Sequence, residues 1–139
     1  MKDPRASGDG IVTDSHQGIK IQKLQWAGMG KILTTGWADS SEREYKIYDV
    51  RSMDQPLVSK RLDGEKYQMI PYFDYDTGVL YIMNKGTDFT QFYHYNRATD
   101  EVTYMDKYKS NGIQQALAFI PKTDLDFKAN EIGRAVRFN

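Results

Sequence analysis

The sequence contains no cysteine, no long apolar run and no excess of either charge. Absence of cysteine excludes a disulfide-stapled fold and a cysteine-ligated zinc site, and it fits the cytosol. No run of about 18 apolar residues occurs, and residues 1–10 lack the apolar core of a signal peptide, so we expect no membrane span. The 19 basic residues are matched by 19 acidic ones, which argues against nucleic acid as the main partner, because that needs a basic face.

Short alternating segments rich in aromatic and β-branched residues make up most of the sequence. They predict a first set of four strands at 19–26, 31–35, 44–50 and 56–62, and a second set at 68–73, 79–83, 90–95 and 101–107. Clusters of Gly, Asp, Asn and Ser separate the strands as predicted turns. No segment combines a helical period with caps, so we predict an all-β fold.

The two sets of strands repeat each other. The matching residues are 47 positions apart: Trp26 with Phe73, Leu33 with Leu80, and Tyr48 with Tyr95. A further step of 47 reaches Ile120, ahead of one more strand-like piece at 131–138. Four strands at about this period are typical of β-propeller blades. We therefore predict part of a propeller: a loop from a preceding blade (1–15), two four-stranded antiparallel blades (16–63 and 64–110) and an incomplete unit (111–139).

A polar tetrad typical of WD repeats is expected in the first blade. Its predicted members are His16 before the first strand, Thr35 on the second, Asp39 in the next turn, and Tyr48 in the place of the usual tryptophan. Such a network satisfies buried polar groups and holds a loop on the blade, so we interpret it as structural rather than catalytic. His94 lies between two tyrosines without a second ligand at suitable spacing, which favours a strand residue over a metal ligand.

Three stretches resemble the coronin family in order and spacing, and together they cover nearly the whole chain. They are 32–44 (ILTTGWADSSERE), 70–81 (IPYFDYDTGVLY) and 120–126 (IPKTDLD) followed by Glu131-Ile132; the opening Asp3-Pro4-Arg5 is also similar. The sequence departs from the family at Tyr48 and at Thr123-Asp124, where coronins have Trp and Arg-Gly. The resemblance implies blades five, six and part of seven of a seven-bladed ring, about two and a half blades.

What the resemblance implies for function is an actin-filament-binding regulator at the cytoskeleton or cell cortex, acting as a protein-interaction scaffold with actin and other cytoskeletal proteins. Filaments are acidic, so the expected contacts are basic residues on blade edges and loops: Lys60, Arg61, Lys85, Lys107, Lys109 and Lys122. The alternative for each is a solvated lysine that protects an edge strand from pairing.

Two other functions stay open from the sequence. One is a general peptide-binding WD scaffold that is not specific for actin. The other, more remote, is a propeller hydrolase, for which Asp74 and Asp76 are the sole candidate pair; their spacing is better explained by turn chemistry. We expect no enzyme activity, no cofactor and no metal.

A partial ring should leave apolar blade faces bare. The residues expected between blades are Trp26, Leu33, Ile47, Phe73, Leu80, Ile82 and Phe92. Uncovered faces of this kind exceed the apolar patches of ordinary soluble monomers, so we expect the fragment to self-associate.

Overall fold

The computed structural model describes residues 5, 7–39 and 41–139, which form ten strands and two short 3-10 helices. Of the opening Asp3-Pro4-Arg5, the first two residues lie outside the described part. The first blade is an antiparallel sheet of β1 (Lys23–Gly28), β2 (Lys31–Trp37), β3 (Arg43–Asp49) and β4 (Val58–Arg61), in that order. The second blade is β5 (Gln68–Asp74), β6 (Val79–Lys85), β7 (Phe89–Asn96) and β8 (Glu101–Lys109), in the same order. The all-β prediction is confirmed.

A third, two-stranded sheet follows the second blade. It pairs β9 (Ala116–Phe119) with β10 (Ala135–Phe138), and the 3-10 helices Lys122–Asp124 and Phe127–Ala129 lie in the connection between them. Its main contact is an aromatic stack: the Phe119 ring lies parallel to Tyr72 at 3.6 Å and tilted against Tyr81 at 4.8 Å between centroids. The third sheet therefore covers the face of the second blade that points away from the first.

The hairpin turns differ between the two blades. β1 and β2 are joined by Met29-Gly30, with φ of 50° and 73°, a two-residue turn of the kind that matches strand twist. β5 and β6 are joined by four residues ending in Gly78, whose φ is 71° and whose carbonyl accepts from the Tyr95 amide. The shorter first turn goes with a register shift between Trp26 and Gly28.

This register shift moves one predicted core residue to the surface. Leu33 lies opposite Gln25, whereas its repeat partner Leu80 lies opposite Phe73. The strand counterpart of Phe73 is therefore Gln25, not Trp26, and a one-residue offset reverses the face of a strand. Phe73 is 6% exposed and Trp26 is 51% exposed. The expectation that Trp26 is buried between blades was wrong, and Ala27 is buried instead.

The apolar core lies between the two blades. It consists of Ala27, Leu33, Tyr45, Ile47, Met69, Phe73, Leu80, Ile82, Tyr93 and Tyr95. Tyr45 of β3 meets Tyr93 of β7 edge-on at 5.7 Å. Burying such side chains stabilises the pair of blades by roughly 1.5–3 kcal/mol for each large residue. Phe92 is half-buried and contacts Tyr81 at 5.2 Å, on the opposite face of the second blade.

Candidate interaction surface

The two blades present two ends, and the inter-blade contacts show which strand ends lie together. Arg43, at the start of β3, donates to the side chain of Asn84, near the end of β6. The start of β3 lies beside the end of β2 and the end of β4, and β8 ends beside β7's start. We call the end that contains the last residues of β2, β4, β6 and β8 the upper end. The lower end contains the β1–β2 and β5–β6 turns.

Five of the six basic candidates lie near the upper end. Arg61, Lys85 and Lys109 are the last residues of β4, β6 and β8, while Lys60 and Lys107 lie one and two residues before strand ends. All five are exposed. Sequence position did not reveal this arrangement, which results from the parallel stacking of equivalent strands in the two blades.

Ion pairs divide these five into two groups. Arg61 bonds Glu42 at 2.5 Å, and Lys109 lies 3.3 Å from Asp88. Lys60, Lys85 and Lys107 have no carboxylate within 4 Å in the part of the chain that is described. These three cations are the ones whose charge is available to an outside partner.

Lys122 is separated from the other candidates and is held at the lower end. Its Nζ donates to Asp74 at 2.7 Å and to the Ile132 carbonyl, and lies 3.9 Å from Asp76. Burial opposes ionisation of Asp74, but hydrogen bonds from Lys122 and the Thr77 hydroxyl outweigh it, so the pKa of Asp74 is lowered. Lys122 therefore attaches the β9–β10 connection to the second blade.

The candidate hydrolase pair has the geometry of a turn. The Asp76 amide donates to Asp74 Oδ1 at 3.2 Å, and the other oxygen of Asp74 accepts from Lys122. Asp74 is 4% exposed, whereas the Asp76 side chain is 68% exposed. The buried, ion-paired carboxylate of Asp74 provides a structural link between this turn and the β9–β10 connection.

His16 is the centre of a buried polar network, but its partners differ from the expected tetrad. Its Nδ1 is 2.8 Å from Glu44 Oε1, and its Nε2 is 3.0 Å from the Thr34 hydroxyl. A carboxylate only accepts, so Nδ1 carries the proton and Nε2 accepts from Thr34. Lys46 completes the network: its ammonium forms an ion pair with Glu44 at 2.9 Å and donates to the Ser15 carbonyl at 2.6 Å. Burial lowers the pKa of His16 and outweighs the opposing effect of the hydrogen bond that His16 donates to Glu44.

The other three expected members of the tetrad lie elsewhere. The Thr35 hydroxyl faces the second blade and donates to the Met69 carbonyl at 3.4 Å, because neighbouring residues of a strand point to opposite faces. Asp39 accepts from the amides of Ser41 and Glu42, which orders the β2–β3 turn and lowers its pKa. Tyr48 donates to the Ser15 carbonyl at 3.3 Å, so it contacts the same loop as His16 without bonding it.

An arginine that the sequence did not single out joins the blades at the upper end. Arg43 is 0% exposed and forms a two-pronged pair with Asp63, at 2.5 and 2.6 Å. It also donates to Asn84 at 2.5 Å and to the Tyr67 carbonyl at 3.2 Å. Burial opposes ionisation of Asp63, but the bonds from Arg43 prevail and lower the pKa of Asp63. The available signal was the Ser-Glu-Arg segment at 41–43, on which the family resemblance partly rests.

A second polar contact joins the blades at the lower end. Lys31 of β2 forms an ion pair with Asp100, which also accepts from the Tyr95 hydroxyl at 2.6 Å. The Lys31 ammonium lies 5.7 Å from the centre of the Tyr95 ring. The two blades are thus fastened at both ends, with the apolar core between. These contacts fix the two blades relative to each other, so the residues that the two blades contribute at each end have a fixed arrangement.

His94 is exposed on β7. Within residues 5, 7–39 and 41–139, no group of three or more His, Asp or Glu side chains could hold a metal ion. Over the same ranges no helix has the length and apolar character to cross a membrane.

Comparison with known proteins gives a consistent set of relatives. No family model matches this sequence. Coronin-A of Dictyostelium discoideum is 30% identical over 135 residues, covering 97% of this chain and 30% of its own length. Coronin-2A of Mus musculus is 33% identical over 135 residues, covering 95% of this chain and 25% of its own. The crystal structure of the WD40 domain of Toxoplasma gondii coronin matches with a TM-score of 0.81 and 32% identity, over 88% of this chain and 32% of that one. The chain spans about a quarter to a third of the length of these relatives.

Proposed function

Because this chain is a relative of the coronins and corresponds to a segment of their WD-repeat propeller, we propose that it is part of an actin-filament-binding cytoskeletal scaffold. The coarser role, a coronin-type WD-repeat scaffold, follows from the relatives and the fold. The observation that carries the finer proposal is the group of exposed cations at the upper end, of which Lys60, Lys85 and Lys107 lack an acidic partner in the described ranges.

The physical basis is electrostatic attraction to an acidic filament. Lysines on outer strands and strand ends project into solvent, where they increase the rate of encounter with an acidic surface. Arg61 and Lys109 already have carboxylate partners, so their net contribution should be smaller. Lys122 is not proposed as a contact, because its ammonium is occupied by Asp74 and the Ile132 carbonyl. Filament binding would place the protein at the cytoskeleton and the cell cortex.

Co-sedimentation with actin filaments tests the proposal. We expect Lys60→Glu and Lys107→Glu, combined, to weaken binding by about three- to tenfold at low salt, with a smaller effect at higher salt because exposed charges are screened. Lys128→Glu is the control: Lys128 is exposed in the connection that Lys122 attaches to the lower end.

Binding that is unchanged in the double variant, or equally reduced by Lys128→Glu, would contradict the upper-end proposal. Absence of filament binding together with capture of linear peptides would favour the general peptide-binding scaffold over the actin-specific function.

A further inference from the structure

A second surface, at the lower end, combines an arginine that is stacked on a tyrosine ring with exposed apolar side chains from both blades. We define the lower patch as Met29 of the first blade with Tyr75, His94 and Arg97 of the second. Met29, His94 and Arg97 line a depression of about 440 Å³ next to the β5–β6 turn. None of these four residues belongs to the upper-end cations, and none takes part in the ion pairs that join the blades.

Arg97 is held in position while its charge stays unpaired. Its guanidinium lies 4.6 Å from the centre of the Tyr75 ring, and its side chain has no carboxylate within 4 Å in the described ranges. The Arg97 carbonyl, not its side chain, accepts a hydrogen bond from Lys31 at 3.4 Å. A guanidinium stacked on an aromatic ring presents its planar donors in one geometry, which suits two-pronged recognition of a carboxylate.

Tyr75 is itself fixed against the first blade. A Cβ on Gly28 would lie 1.8 Å from Cε2 of the Tyr75 ring, so the ring rests directly on a position that only glycine permits. Tyr75 is nevertheless 50% exposed. The patch is therefore preorganised across the two blades, which lowers the ordering cost of binding.

Met29 is an exposed apolar residue whose backbone adopts a conformation that is unfavourable for methionine. Its φ is 50°, a region that favours Gly, Asn or Asp, and the residue is 67% exposed. Nothing in the fold of the two blades requires methionine in this two-residue turn. Exposed Met, Tyr and Arg together are the side chains enriched in the cores of protein interfaces.

The acidic group at the rim does not neutralise the patch. Asp76 also lines the depression, but its carboxylate lies 3.9 Å from the Lys122 ammonium, on the side of the third sheet. The charge that remains unpaired in the patch is that of Arg97.

We propose that the lower patch binds an extended acidic peptide segment of a partner protein. A Glu or Asp carboxylate of the segment accepts two hydrogen bonds from Arg97, and a neighbouring apolar side chain packs on Met29 and Tyr75. This interaction is independent of the proposed filament contact, which lies at the opposite end of the blades.

Fluorescence anisotropy with a labelled peptide of alternating Glu and Leu tests the proposal, with the matching Gln and Leu peptide as the second probe. We expect Arg97→Ala to weaken binding of the Glu peptide about ten- to a hundredfold, the range for loss of hydrogen bonds to a charged group. Arg97→Lys should recover little, because lysine lacks the planar fork. Arg51→Ala is the control, since Arg51 is 80% exposed at the lower end but already paired with Asp49 at 2.6 Å.

The methyl resonance of Met29, assigned with Met29→Leu, gives a readout that a general charge effect would not move. It should shift when the Glu peptide binds and not when Arg97→Ala is titrated. No binding up to millimolar peptide, equal binding of the Gln peptide, or equal losses in Arg97→Ala and Arg51→Ala would each overturn the proposal. Filament co-sedimentation should be unchanged in Arg97→Ala, so the two proposals fail separately.

Discussion

Replacing Arg43 by alanine tests how much the upper polar contact contributes to holding the blades together. The guanidinium is fully buried and makes four hydrogen bonds: two to Asp63, one to Asn84 and one to the Tyr67 carbonyl. The substitution leaves the Asp63 carboxylate without its cation and deprives the buried Asn84 oxygen of its charged donor. Both losses fall at the junction of the two blades.

The expected loss of unfolding free energy follows from how exposed Asn84 and Asp63, the side-chain partners of Arg43, are to solvent. Asn84 is 0% exposed, and a buried acceptor that loses its donor costs about 1–3 kcal/mol. Breaking a fully buried ion pair costs about 3–5 kcal/mol, but the Asp63 side chain is 31% exposed and regains some water, which reduces its share to about 2 kcal/mol. We expect a total loss of about 3–4 kcal/mol in the free energy of unfolding. For a chain of this length that lowers Tm by about 10 °C.

Urea unfolding followed by circular dichroism and tryptophan fluorescence measures the loss. Arg61→Ala is the matched control: its pair with Glu42 is exposed on both sides, 65% and 44%, and should contribute below about 0.5 kcal/mol. A double-mutant cycle of Arg43→Ala with Asp63→Asn isolates the coupling of the pair. A free energy of unfolding for Arg43→Ala within about 1 kcal/mol of the parent, or an equal loss in Arg61→Ala, would show that this buried contact contributes little to holding the blades together.

Two further predictions concern the histidine network and the bare faces. Burial lowers the pKa of His16 below the value of about 6.5 in the unfolded chain, so its contribution to stability is complete above that pH and is lost as the pH falls below it. Unfolding of the parent between pH 7.5 and 5 should show this loss; His16→Asn should abolish it, whereas His94→Asn, an exposed control, should retain it. Light scattering at micromolar concentration should show self-association through exposed apolar residues of the first blade and third sheet, Leu24 (64% exposed) and Phe138 (62%). Leu24→Asp with Phe138→Asp should shift the protein toward monomer, and a monomeric parent would contradict this expectation.

Strand prediction succeeded where burial alternates and failed where apolar residues lie in loops. The second strand of each blade was expected at 31–35 and 79–83 and is observed at Lys31–Trp37 and Val79–Lys85. The first strand was expected from residue 19, but it begins at Lys23, and Ile19 and Ile21 are 104% and 66% exposed. An apolar residue in a loop produces the same local pattern as one in a strand, and only packing distinguishes them.

The sequence also could not predict which of two adjacent residues makes a given contact. Thr34 and Thr35 are chemically identical, yet one bonds His16 and the other faces the second blade. The 47-residue repeat aligned Trp26 with Phe73, but the β-bulge in β1 shifted that alignment by one position. Neither outcome changes composition or period, so no pattern in the sequence could have indicated it.

Alternation and period are local properties that each blade repeats, so the amino-acid sequence was enough to predict the all-β class and the 47-residue repeat. The likeness to the coronins came from three stretches of residues rather than from the repeat. The tertiary structure was needed to show which basic residues lie at the same end of the blades and which side chains bond His16. It also distinguished two arginines: Arg43 is buried and paired with Asp63, whereas Arg97 lies unpaired on the ring of Tyr75. Those properties depend on the stacking of one sheet against the next, which brings together residues from distant parts of the chain.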